Sequence, residues 1–228
     1  MRSKFSKDEL NEIIQWDVKN WSRALDFWNK HIRVEPGMKV LALGEREGGL
    51  SFYFAKQGCE VVCSDYNDFP DTTKDFHQSK GVSDKISYRK IDMRKIDFED
   101  GSFDLVVFKS VIGALGNKED QDKAIQEIHR VLKPGGAFLF AENARGSKAI
   151  QALRRRMVNW GQRWRYISSK DTGYWSSLFT DSHVKSYGAM AVLGRSEKQR
   201  SFLGSLDKVF SPITPRRWRY IFFGVMIK

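Results

Sequence analysis

The chain has 228 residues, 41% of them hydrophobic, which is enough to bury one sizeable core and too apolar for disorder to be the default reading. No apolar run approaches the roughly 20 residues needed to cross a bilayer, and the charged start Met1-Arg2-Ser3-Lys4 leads into no apolar stretch, so neither a spanning helix nor a secretory signal is expected. The formal charge of +11 favours anionic partners, whether nucleic acid, a membrane surface or an acidic substrate.

The first expected element is a helix from about Lys7 to His31, because Ile14, Val18, Trp21, Leu25, Trp28 and Ile32 recur at helical spacing. Trp16, Asn20, Arg23 and Phe27 form another face of that helix, suited to covering a ligand cleft or to ordinary surface. After the turn at Pro36-Gly37 the pattern alternates. Strands are expected at Val40 to Leu43, Glu60 to Ser64, Ile86 to Ile91, Phe103 to Phe108 and Ala137 to Ala141. Helices at about Leu50 to Gln57, Asp71 to Ser79 and Lys118 to Leu132 lie between them, the last stopped by Pro134-Gly135-Gly136. Such alternation predicts an α/β fold with a parallel sheet covered on both faces.

The last third reads differently. An amphipathic helix is expected over Ser147 to Ile167, carrying Ile150, Leu153, Met157, Trp160, Trp164 and Ile167 on one face. A helix at Tyr174 to Phe179, a strand near His183 to Val192, a helix near Glu197 to Val209 and a strand at Tyr220 to Ile227 follow. Seven basic residues and no acids stand between Ser147 and Lys170, so Arg154, Arg155, Arg156 and Arg163 could ring a site entrance, rest on an anionic membrane, or be solvated. Cys59 and Cys63 flank one apolar stretch without clustered histidines, which suggests neither a disulfide framework nor a metal site. A cytoplasmic setting is expected, with peripheral contact at the inner face of the membrane as a variant.

The strand ends carry the chemistry. Ligands of open parallel sheets bind beyond the carboxyl ends of the strands. Here the first strand ends in Gly44-Glu45-Arg46-Glu47-Gly48-Gly49, and the second in Asp65, whose carboxylate can accept from two ribose hydroxyls. Asp92-Met93 follows the third strand and Lys109-Ser110 the fourth.

This order of segments, ending in His129-Arg130-Val131-Leu132-Lys133-Pro134-Gly135-Gly136, resembles the class I S-adenosylmethionine-dependent methyltransferases, in particular the small-molecule and quinone-biosynthesis methylases. The resemblance covers roughly residues 38–142 and implies a single Rossmann-like three-layer sandwich over 1–228. Its sheet would be seven-stranded and mostly parallel with an antiparallel last strand. Residues 1–34 would form a helical cap and 147–180 a helical lid over the acceptor site. The implied cofactor is S-adenosylmethionine, with S-adenosylhomocysteine as product. Gly44, Arg46 and Gly48 would lie at its methionine portion, Asp65 at the ribose, and Tyr66, Asp92 and Met93 at the adenine. Lys109 and Ser110 would face the sulfonium and the acceptor. Trp16, Glu142, Asn143, Arg154 and Tyr174 are the acceptor-site candidates, and no residue announces itself as a general base. The chain departs from the family at Ala42, where an acid is usual, and at Arg46, where a glycine is usual and an arginine could pair with the cofactor's carboxylate.

The expected activity is methylation of a small or carrier-linked metabolite, such as a sugar, lipid or quinone precursor, with an acidic or phosphorylated group suited to the basic patch. An RNA methylase is disfavoured because no added RNA-binding module and no Asn/Asp-Pro-Pro-aromatic signature is present. A non-catalytic cofactor-binding or membrane-associated interaction protein is the rival from another class. Asp104 is expected to anchor nearby backbone or the cofactor loop, His129 to be structural, and His183 to be a loop residue or a base.

Overall fold

The computed structural model describes residues 5–157 and 163–228, and of 153–157 the backbone only. The core is a seven-stranded sheet built from β1 (Lys39–Leu43), β2 (Glu60–Asp65), β3 (Ile86–Lys90), β4 (Phe103–Lys109), β5 (Leu132–Asn143), β6 (Asp181–Tyr187) and β7 (Ile221–Ile227), in the order β3-β2-β1-β4-β5-β7-β6. The neighbours from β3 to β5 pair in parallel, while β7 runs antiparallel to both β5 and β6. The strand order reverses between β1 and β4, so the loops after these strands open a crevice at one edge of the sheet.

Side-chain alternation divides each strand between two apolar layers. Val40, Ala42, Leu105, Val107 and Leu139 face one layer, Leu41, Leu43, Val106, Phe108 and Phe138 the other. The first layer is closed by α1 (Lys7–Ile14), α2 (Val18–Trp21), α3 (Arg23–His31), α4 (Gly49–Ala55) and α5 (Asp71–Ser79), which contribute Ile13, Trp21, Trp28, Phe52 and Phe76. The second is closed by α6 (Lys118–Val131) and α8 (Ser169–Ser176), whose Ile125, Ile128 and Trp175 are fully buried. Near-continuous apolar strands such as β4 fit this double covering.

The expected first helix is broken between α1 and α2. Gln15 and Asp17 take positive φ values of 71° and 45°, conformations that oppose helix continuation. Tertiary hydrogen bonds hold the break open. Tyr220 donates its hydroxyl to the buried Asp17 carboxylate, and the Asp17 and Val18 amides donate to Glu197 at 2.8 and 2.9 Å. Glu197 opens α9 (Glu197–Ile213), so the N-terminal segment is fastened to an element 180 residues away.

Burial, reinforced by the Glu197 and Asp207 charges, pushes the Asp17 carboxyl up to about 7, though the Tyr220 hydrogen bond opposes the shift. Folding therefore takes up a proton between the unfolded value near 3.8 and about 7. Stability is greatest below that window, falls as pH rises through it, and is level above. Asp17→Asn keeps an acceptor for Tyr220 and removes the decline. In urea unfolding it should match the wild type at about pH 4 and exceed it by on the order of 2 kcal/mol at about pH 8.

Other boundaries moved for identifiable reasons. Pro134-Gly135-Gly136 lies inside β5, because the Gly135 and Lys228 amides exchange bonds with the Lys228 and Gly136 carbonyls at 2.9 Å. The expected helix over Ser147 to Ile167 is realised as α7 (Lys148–Met157); Trp160 lies outside the described residues. Residues 164–167 are not helical, and Ile167 instead bridges Ala144 beside β5. Helix α8 starts at Ser169, ahead of Tyr174, because Ser168 and Asp171 form a capping box and Arg165 binds Asp171 at 2.7 Å. Strand β6 stops at Tyr187, followed by Gly188 at φ 81°, where a Cβ would strike the Tyr220 ring.

Candidate active site

The β1–α4 loop sits at the reversal of strand order. Gly44, at φ 68°, leaves no room for a side chain, since a Cβ there would lie 2.4 Å from Val111. Gly48, at φ 73°, is closed in by His77, whose Nε2 lies 2.9 Å from the Gly48 carbonyl and whose Nδ1 lies 2.7 Å from the Tyr88 hydroxyl. Thr73 donates to the Arg46 carbonyl at 2.5 Å, so α5 holds this loop from the side. The Arg46 side chain itself is exposed.

The loop's acid is Glu45. Its carboxylate is buried and accepts from the Leu50 and Ser51 amides at 2.8 and 3.0 Å, neutralising the start of α4. Burial raises the Glu45 carboxyl, opposed by these amides and by the Lys109 charge. A carboxylate is thus present three positions after the departure at Ala42, on the same loop. Sequence reasoning passed over Glu45 and His77 because neither belongs to a periodic or family pattern; only the fold closes them around the loop.

At the end of β2, Asp65 accepts from the Asn67 amide at 2.9 Å through Oδ1, and its Oδ2 has no partner among the described residues. Tyr66 beside it is 62% exposed, leaving a ring face open. Beyond β3, Asp92 is engaged by Arg94, whose Nη2 donates to Oδ2 at 2.7 Å and whose backbone amide donates to Oδ1 at 2.9 Å. Those bonds hold the Asp92 carboxyl below its usual range. Met93 is buried in the layer facing α6.

The ends of β4 and β5 carry Lys109, Ser110, Glu142 and Asn143, the first two expected to face the sulfonium and the acceptor and the last two expected at the acceptor. Lys109 is buried, with Nζ 3.5 Å above the Trp16 ring and 5.9 Å from Trp21. Desolvation brings its ammonium down to about 8 against the opposing pull of Glu45 and Glu142. Ser110 adopts φ 55°, and Asn143 donates to its Oγ at 2.7 Å. Glu142 is fully buried; burial pushes it up to about 7 although the Val111, Ile112 and Asn143 amides donate to its oxygens at 2.8, 3.0 and 2.7 Å. With its lone pairs committed to the backbone, Glu142 fixes the loop after β4 and is not free to act as a base.

The fold therefore brings Trp16, Lys109, Ser110, Glu142 and Asn143 together. Tyr174 is placed elsewhere: its hydroxyl receives Gln126 at 3.2 Å and its ring lies 4.8 Å from Lys118, both on α6. The Arg154 side chain, like those of Arg155 and Arg156, lies outside the described residues. Of the helical face expected over the cleft, only Trp16 reaches Lys109. Asn20 is buried against Asp207 and Tyr220, Arg23 stacks on Tyr187 at 4.2 Å, and Phe27 packs on Phe223. Asp104 accepts from the Lys39 amide at 2.8 Å at the opposite edge of the sheet, away from the crevice. His183 lies on the outermost strand β6, level with Val225 of β7 and Leu139 of β5, and stacks on His31 with ring centroids 4.2 Å apart, away from Lys109 and Asp65. His129 packs its ring against Phe179, a structural role.

The strand order, the glycine loop and the acid ending β2 define a class I, Rossmann-like fold. The sequence profile described as a methyltransferase domain matches residues 41–140, a little under half of the chain, and over that stretch the chain is similar to the class I S-adenosylmethionine-dependent methyltransferases. Among curated relatives, the ubiquinone/menaquinone biosynthesis C-methyltransferase UbiE of Shewanella sp. (strain W3-18-1) is 32% identical over 143 residues, covering 59% of this chain. The chain spans about half the length of that relative, 53%. Among solved structures, phosphoethanolamine N-methyltransferase 2 of Haemonchus contortus with bound S-adenosyl-L-methionine superposes with a TM-score of 0.66 at 17% identity, over 100% of this chain and 58% of its own. The [4+2]-cyclase SpnF superposes at 0.62 with 14% identity, over 91% of this chain and 80% of its own. At such identities the superpositions speak for the fold alone.

Proposed function

We propose that the protein transfers a methyl group from S-adenosylmethionine to a small or carrier-linked acceptor bearing an anionic group. The observation that carries this reading is the convergence, at the strand-order reversal, of the Gly44–Gly48 loop, the unpartnered Oδ2 of Asp65 and the open ring of Tyr66. These residues fit the cofactor: the loop for its methionine portion, Asp65 for the ribose diol, Tyr66 for the adenine. The bound cofactor supplies a methyl group on a sulfonium, which leaves as a neutral thioether. The protein's tasks are to align the acceptor and exclude water. Trp16 and Trp21 cover Lys109, while Glu142 and Asn143 fix Val111, Ile112 and Ser110 beneath them.

An anionic acceptor is supported by a groove of about 1320 Å³ that begins beside Asn143 and is lined by Arg145, Lys148, Lys185, Arg216 and Arg217. None of these five has an ion-pair partner among the described residues. The similarity to the ubiquinone/menaquinone methyltransferases favours a quinone precursor with such a group. One observation favours the rival, a binder without methyl transfer: Arg94 occupies Asp92. Incubation with methyl-labelled cofactor and a panel of quinone precursors, with and without phosphate groups, separates the two. Label should enter an acidic or phosphorylated member in preference to its neutral counterpart. Tight cofactor binding with no transfer across the panel would favour the rival.

A further inference from the structure

Helix α9 is amphipathic in the reverse of the usual sense. Its buried face is polar and small: Gly204, Asp207 and Ser211 point inward. Asp207 accepts from the Ala189 and Met190 amides at 2.7 and 2.8 Å and from the Asn20 amide group at 2.7 Å, so this face is fixed by hydrogen bonds. Its outer face carries Phe202, Leu206, Val209, Phe210 and Ile213, one continuous stripe at helical spacing. Phe202 and Val209 are each 67% exposed and Ile213 is 76% exposed. Trp218, in the turn just beyond, is also exposed. A contiguous apolar stripe of this size on a surface marks an interaction site rather than scattered surface hydrophobes.

The charges around the stripe identify what covers it. From Lys198 to Arg219 the only acid is Asp207, which is buried, whereas Lys198, Lys208, Arg216 and Arg217 are exposed. Arg219 braces the turn by donating to the carbonyls of Thr214, Ser186 and Pro212, which holds Arg216, Arg217 and Trp218 outward at the end of the stripe. A second copy docked about a two-fold axis would set these cations against their own counterparts. Exposed aromatic and aliphatic side chains bordered by unpaired cations match the boundary between acyl chains and anionic headgroups.

We propose that the outer face of α9, with the turn at Arg216–Trp218, docks the protein on an anionic lipid bilayer. The described helices include none long and apolar enough to cross a membrane, so the contact is peripheral. Arg216 and Arg217 also border the groove lined by Lys148 at the start of α7, so the docking surface adjoins that groove. Glu197, at the start of α9, binds the Asp17 and Val18 amides next to Trp16, so the docking helix is joined directly to the segment over Lys109.

The test is co-sedimentation of the full chain with vesicles of phosphatidylcholine and phosphatidylglycerol, compared with phosphatidylcholine alone. Binding should require the anionic lipid. Phe210→Ser combined with Ile213→Ser should weaken it at least tenfold. Arg216→Glu with Arg217→Glu should weaken it at least twentyfold, since each cation near an anionic leaflet contributes about fivefold. Arg33→Glu, on an exposed side chain elsewhere, should leave it unchanged. All altered positions are exposed, and unchanged thermal unfolding confirms the fold of each variant. Because Cys59 and Cys63 are buried, a polarity-sensitive dye on Val209→Cys reports insertion directly, and its emission should shift to the blue on anionic vesicles. Absence of vesicle binding would overturn the proposal, as would equal binding by the apolar and charge variants. So would a concentration-dependent dimer, abolished by the same substitutions, in a protein that ignores vesicles.

Discussion

Asp65→Ala should weaken binding of S-adenosylmethionine and S-adenosylhomocysteine by on the order of 10²- to 10⁴-fold while leaving the unliganded protein equally stable. On the proposed reading the carboxylate accepts from both ribose hydroxyls, and each charge-assisted bond contributes about 1.5–3 kcal/mol. At about 1.4 kcal/mol per tenfold, losing both accounts for the expected range. The protein itself makes little use of the side chain: its backbone contact is one bond to the Asn67 amide at 2.9 Å, and Asp65 is only partly buried. Calorimetric titration of both proteins, with thermal unfolding alongside, separates ligand loss from fold loss. Equal affinities would move the ribose away from β2. No binding by the folded wild type would mean that Ala42 and Arg46 have disabled the pocket, and the non-catalytic reading would take first place.

Lys109→Met should lower stability by about 3 kcal/mol, the loss expected when one partner leaves a buried charge cluster. For a chain of this size that corresponds to a fall in Tm of about 6–12 °C. Lys109 is the buried cation acting on two buried carboxylates, Glu45 and Glu142, and its ammonium lies against Trp16. Without it, Glu45 must be protonated or remain buried without a cation. The deficit should therefore shrink at about pH 5, where protonation of a raised carboxyl is easier. The double variant Lys109→Met with Glu45→Gln should recover part of the loss, because the glutamine still offers an oxygen to the Leu50 and Ser51 amides. Thermal unfolding of wild type, both single variants and the double variant supplies the cycle. Additive losses would show that Lys109 and Glu45 do not act on each other.

The two outcomes bear on different parts of the same edge. Asp65 concerns the proposed ligand at a strand end that the fold leaves open. Lys109 concerns charges the fold has closed over, where the aromatic cap excludes water and the backbone of the β4 loop is fixed by Glu142. The exposed Arg46 belongs with the first group, and its thermal stability should be insensitive to substitution.

The sequence by itself determined the order of strands and helices in the first two thirds of the chain, because apolar period and strand-end chemistry are local. Asp71–Ser79 and Phe103–Lys109 stand almost where their patterns placed them. Gly44, Asp65 and Lys109 were legible for the same reason: each directly follows or ends an apolar strand. Contacts between distant segments were not legible. The break at Gln15 and Asp17 depends on Glu197 and Tyr220, and the buried grouping of Glu45, Lys109 and Glu142 depends on three strands meeting at one edge. Helix α9 shows the limit most plainly. Its spacing announces two unlike faces, but a period is the same whichever face turns inward. Only the hydrogen bonds of Asp207 to distant amides pull the polar face in and leave Phe202, Val209 and Ile213 at the surface.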